Sequence, residues 1–97
     1  MINFDHYSRE KHLICRFMGR LDTLNCISLS EEIQNKLQEL KQGQSEKDQP
    51  EEKIDFDMKD VTFISSSFIR LCLITFNQSK KGNFAIINCD PFLKKTF

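Results

Sequence analysis

Residues 61–74 constrain the chain most. An apolar run, Val61-Thr62-Phe63-Ile64, meets three hydroxyls, Ser65-Ser66-Ser67, and passes straight into a second apolar stretch over residues 68–74. The first run suits a strand and the second a helix, so the serines mark a strand-to-helix junction. A serine there accepts hydrogen bonds from the first N–H groups of the helix, which have no partner within it. A phosphate at the same place meets the positive end of the helix dipole. The junction therefore reads first as a cap and second as a place where phosphorylation can act as a switch.

The rest of the chain builds a fold around that junction. Residues 2–7 and 11–18 flank Ser8-Arg9-Glu10, and the second segment alternates through Leu13, Cys15 and Phe17, as a β-hairpin requires. Gly19-Arg20-Leu21-Asp22 ends the second strand, with Thr23 or Asn25 as the cap of the next element. Leu29, Ile33, Leu37 and Leu40 recur every three or four residues, which predicts an amphipathic helix over residues 26–41. Residues 42–52 carry no apolar side chain and include Gly43 and Pro50, predicting a flexible surface loop. Residues 53–57 form a short strand with Ile54 and Phe56 on one face, ahead of the apolar run at 61–64.

A second helix is expected over residues 67–80, ending before Gly82 as its C′ residue. Residues 84–88 read as a strand buried on both faces, and Asp90-Pro91 opens a short last helix. The order β-β-α-β-α-β predicts an α/β fold: a mixed sheet with helices packed on it and a shortened C-terminal helix, in one domain over residues 1–97.

Composition narrows the function. Fourteen basic residues balance fourteen acidic ones, so no electrostatic pull toward nucleic acid or an anionic membrane is expected. The four cysteines form no C-x-x-C pair and have no histidines placed to complete a zinc set, so neither a metal site nor a cofactor is expected. Three of them lie in apolar runs and read as small buried hydrophobes in a reducing cytoplasm. No signal sequence or membrane-length apolar stretch is visible. His6 and His12 flank the hairpin turn without a nucleophile, and surface or turn roles are expected of them. No phosphate-cradling glycine motif occurs, and the nine phenylalanines fall mostly at apolar strand or helix positions, which favours core over base stacking. The chain does not read as an enzyme.

The second helix is more apolar than one buried face requires. At 100° per residue, Phe68, Ile69, Cys72, Leu73 and Phe76 gather on one broad side, expected to face the core. Leu71 and Ile74 fall beyond it, near Arg70, as a partly exposed docking patch that self-association as a homodimer would also use.

Element order and two motifs together resemble the STAS domain, the fold of bacterial anti-sigma factor antagonists. Gly19-Arg20-Leu21-Asp22 is similar to the family's G-x-L-D turn, and residues 61–71 resemble its hydrophobic run followed by D-S-S-G-L or D-S-T-G-L. By that resemblance Ser67 stands at the hydroxyl a partner kinase phosphorylates, Ser66 at the preceding serine, Ser65 at the family's Asp and Phe68 at its Gly. The resemblance implies a regulatory interaction module without catalysis, working by partner switching with an anti-sigma factor or kinase-like ATPase. Its contact face would take in Asp22 and Thr23, the serines Ser65, Ser66 and Ser67, and the helix residues Phe68, Arg70, Leu71 and Ile74. The replacements at Ser65 and Phe68 favour an alternative, a STAS-like scaffold subunit that is never phosphorylated, as in a lipid-transport or membrane-associated complex.

Overall fold

The computed structural model describes residues 2–41, 52–79 and 82–95. β1 (Ile2–Tyr7) and β2 (His12–Leu21) form the expected antiparallel hairpin, in register from Ile2 opposite Phe17 to Tyr7 opposite His12. α1 (Thr23–Lys41) precedes β3 (Lys53–Ile64), which runs parallel to β2. α2 (Ser66–Gln78) precedes β4 (Phe84–Ile87), parallel to β3, and the sheet order is β1-β2-β3-β4. α3 (Pro91–Lys94) comes last, with the Asp90 carboxylate accepting from the Phe92 N–H and Pro91 in the first turn, where a missing N–H costs nothing.

Alternation along the strands decides which face the helices cover. Leu13, Cys15 and Phe17 of β2 point to the same side as Ile54, Phe56 and Met58 of β3, and all six are buried. Leu29, Ile33 and Leu37 of α1 close on them, together with Phe68, Leu71 and Cys72 of α2. The Phe17 ring meets Phe56 at 4.8 Å and Phe68 at 5.1 Å, both edge to face. Each such side chain contributes about 1.5–3 kcal/mol by leaving water. Among the described residues three phenylalanines are not core: Phe63, Phe76 and Phe92 are exposed, Phe63 beneath the Arg20 guanidinium at 4.4 Å.

Several local expectations change. β3 is one strand of 12 residues, because register shifts opposite β2 absorb the polar Lys59-Asp60 step without ending the pairing. Gly19, at φ +80, supplies the backbone freedom for that irregularity. β4 is an edge strand and only half-buried, since the order leaves it a single neighbour. Gly82 is not the C′ residue of α2: the helix stops at Ser79, whose N–H bonds to the Phe76 carbonyl and whose hydroxyl bonds to that of Thr75. Of the surface loop expected over residues 42–52, all but Glu52 lies outside the described residues, and Glu52 is buried.

The buried stripe of α2 is also rotated from the expected one. It consists of Phe68, Leu71, Cys72 and Thr75, while Leu73 and Phe76 are exposed. The cause is α1, which lies along the Leu71 side, so that α2 packs against a helix as well as the sheet. Gln34 and Gln78 exchange amide hydrogen bonds of 2.9 and 3.1 Å between the two helices, and the buried Thr75 hydroxyl is satisfied by the Leu71 carbonyl at 2.9 Å. Ile74 is exposed, as expected.

Candidate functional site

Parallel pairing of β2 with β3 runs to Leu21 opposite Ile64, so the next residues, Asp22 and Ser65, leave the sheet side by side. Ser65 ties the two exits together. Its N–H donates to the Leu21 carbonyl at 3.0 Å and its hydroxyl donates to the same oxygen at 2.8 Å. The hydroxyl oxygen also accepts from the Phe68 N–H, making Ser65 the N-cap of α2. α1 starts earlier than expected, and its cap is neither Thr23 nor Asn25: the Asp22 carboxylate accepts from the Asn25 N–H at 2.9 Å. That leaves the Thr23 hydroxyl free to accept from Ser67 Oγ at 3.1 Å. Thr23, next after the first motif, and Ser67, within the second, thus meet side chain to side chain although they lie more than forty residues apart in sequence.

Ser66 is exposed and Ser67 half-buried, so both hydroxyls are reachable from outside, whereas Ser65 is turned inward. Phe68 corrects the expected contact face: its ring is fully buried against Phe17, because position 68 belongs to the core stripe of α2. The ring therefore does not stand on the surface beside Ser67. Thr23, Ser67, Arg70, Leu71 and Ile74 share one groove of about 420 Å³ between α1 and α2. Leu71, though buried, forms its floor; Asp22 and Ser65 act one layer back, as caps.

The opposite wall comes from α1, through Ile27, Ser30 and Glu31. Ile27 is 60% exposed and the neighbouring Leu24 77%. Both are apolar residues on the face of α1 that the periodicity assigns to solvent, and that mismatch was the available sequence signal. Glu31 and Arg70 are the charged side chains of the groove, opposite in sign and on opposite walls. Cys26 lies below, its thiol pushed up by burial and by Asp22 against a hydrogen bond from Ser65. Burial pushes Cys15 and Cys72 up to about 12, so these thiols are protonated at neutral pH and are not nucleophiles.

The sheet face away from the helices carries a separate polar cluster. His12 Nε2 lies 2.7 Å from Asp55 Oδ2, and Arg16 pairs with Asp5 and, at 2.9 Å, with Asp57. On the other face, where the register sets His6 opposite core Leu13, His6 Nε2 lies 3.2 Å from Glu52 Oε2. The histidines are therefore not simple turn residues: each faces a buried carboxylate, because central β3 and its approach bury acids that need a donor. Among the described residues no three His, Cys, Asp or Glu side chains group to hold a metal ion, and no helix is long and apolar enough to cross a membrane.

The family model of the STAS domain matches residues 3–97. The chain belongs to the STAS domain family. Among solved structures, the anti-sigma factor antagonist SpoIIAA in its unphosphorylated form superposes on this STAS domain with a TM-score of 0.71 at 20% identity, covering 100% of this chain and 81% of that one. The Bacillus cell fate determinant SpoIIAA in its phosphorylated form gives 0.67 at 20% identity, covering 100% and 80%. An uncharacterised DUF3478 protein with a SpoIIAA-like fold from Shewanella loihica PV-4 gives 0.62 at 15% identity, covering 99% and 72%. No curated protein matches this STAS domain in sequence.

Proposed function

We propose that this chain is a non-enzymatic protein-interaction module of the anti-sigma factor antagonist type, acting in the cytoplasm in a partner-switching pathway. The observation that carries the reading is the Ser67 hydroxyl at the rim of a groove whose walls expose Ile27 and Ile74. Unmodified, this face docks on an anti-sigma factor or kinase-like ATPase and releases the factor it holds. Phosphorylation of Ser67 adds about −1.5 to −2 charges to the groove that Glu31 also lines and disfavours docking by repulsion and desolvation. The inward ring of Phe68, which keeps that side chain off the surface beside Ser67, supports this, as does the fold shared with SpoIIAA structures named in both phosphorylation states.

Ser65, where the family has Asp, favours the second reading, an unphosphorylated scaffold subunit. Intact mass of the chain isolated from its own cells separates the two. One added phosphoryl group on the wild type that disappears in Ser67→Ala is expected of the switch. An unmodified wild type under every growth condition leaves only the scaffold.

A further inference from the structure

Arg70 lies three residues after Ser67 on α2, so the two side chains are neighbours on the helix surface, roughly 5–6 Å apart at Cβ. Both face the same groove, with Thr23 directly across from Ser67 at 3.1 Å. Arg70 is exposed, and among the described residues its guanidinium has no acidic partner; Glu31, the acid of the groove, stands on the other wall. A guanidinium offers a planar fork of N–H donors that matches phosphate oxygens two at a time.

We infer that Arg70 and Thr23 form a receptor for the phosphate of a modified Ser67, so that the modification folds back on its own helix and withdraws Arg70 from the docking face. This rests on the proposed phosphorylation of Ser67 and adds how it would be read. Transfer from a nucleoside triphosphate forms the Ser67 Oγ–P bond, breaks the β–γ P–O bond and releases the nucleoside diphosphate and the hydroxyl proton. Ser67 then has no hydrogen to give Thr23. The Thr23 hydroxyl instead turns donor toward the phosphate, while Arg70 takes two of its oxygens. Before modification the same guanidinium is free to pair with a carboxylate of the partner. Afterwards it is occupied, and the groove carries a net negative charge shared by the phosphate and Glu31.

The test needs no kinase. Phosphoserine is placed at position 67 during synthesis, and its phosphorus resonance is titrated in the wild type, Arg70→Ala, Arg70→Lys and Thr23→Val, with the Arg70 Nε–H resonance followed in parallel. In the wild type the phosphate should hold its second proton about three- to tenfold less tightly than free phosphoserine, whose ordinary pKa is about 6. Arg70→Ala should remove most of that difference, Arg70→Lys part of it, and the Arg70 Nε–H signal should move when the phosphate is present. Circular dichroism of each variant checks that the fold is retained, as expected for an exposed side chain. Identical titrations in wild type and Arg70→Ala, or an unmoved Nε–H signal, would overturn the inference. Neither result depends on whether a cell phosphorylates Ser67, so failure here is distinct from failure of the partner-switching reading.

Discussion

Ser65 donates twice to the Leu21 carbonyl, from its N–H at 3.0 Å and from its hydroxyl at 2.8 Å, while capping α2 with the same oxygen. Ser65→Ala removes the cap and one of the two donors, and should lower stability by about 1–2 kcal/mol in urea unfolding. Ser65→Asp, which restores the family's residue, should not recover the wild-type value. A carboxylate still caps the helix but turns an acceptor against the Leu21 oxygen.

Phe68→Ala should cost about 3–5 kcal/mol, because the ring is fully buried and packs on both Phe17 and Phe56. Phe68→Gly should cost more, since glycine in a helix adds roughly 1 kcal/mol over alanine. The shift of the urea midpoint measures both. A loss below about 1 kcal/mol for Phe68→Ala would contradict the burial on which the outward exposure of Ser67 depends.

Burial of Cys15 and Cys72 makes stability fall in alkali. Both thiols rise from 9.0 to about 12 in the folded chain. Below pH 9 folded and unfolded chains both keep these protons, so the contribution is complete there. Between 9 and 12 the unfolded chain releases them first, and stability declines by up to about 1.4 kcal/mol per pH unit for each thiol. Urea midpoints from about pH 7 to about 10.5 should stay level at first with respect to these groups and then drop. The Cys15→Ala/Cys72→Ala double variant should drop less steeply.

Ile27 and Ile74 face each other across the groove and are largely exposed. Ile27→Glu and Ile74→Glu should each change stability by no more than about 0.5 kcal/mol. Either should weaken partner binding at least about tenfold, a loss of roughly 1.4 kcal/mol measured by calorimetry. Unchanged affinity would move the docking face elsewhere.

Much of this was legible in the chain itself. Alternation at Leu13, Cys15 and Phe17, the three-four spacing of Leu29, Ile33 and Leu37, and the Asp90-Pro91 start all define elements that form as expected. The serine junction likewise lies at the mouth of α2, with Ser66 and Ser67 reachable. What helical periodicity could not supply was the second neighbour of α2. A hydrophobic arc locates one buried side, whereas α1 pulls Leu71 inward and leaves Leu73 and Phe76 outside. The pairing of His6 and His12 with Glu52 and Asp55 was hidden for a related reason, since the parallel register of β2 and β3, together with the β1–β2 hairpin for His6, brings residues so far apart in sequence together. The groove between α1 and α2 is likewise a product of tertiary packing, announced in sequence only by apolar Leu24 and Ile27 on an otherwise polar helix face.

The most direct measurement compares the chain carrying phosphoserine at position 67 with the unmodified chain, each titrated into the proposed kinase-like ATPase partner. Unmodified chain should bind and phosphoserine-67 chain should bind at least about tenfold more weakly, with Ile74→Glu weak in both states. Equal affinity of the two forms would contradict a switch at Ser67.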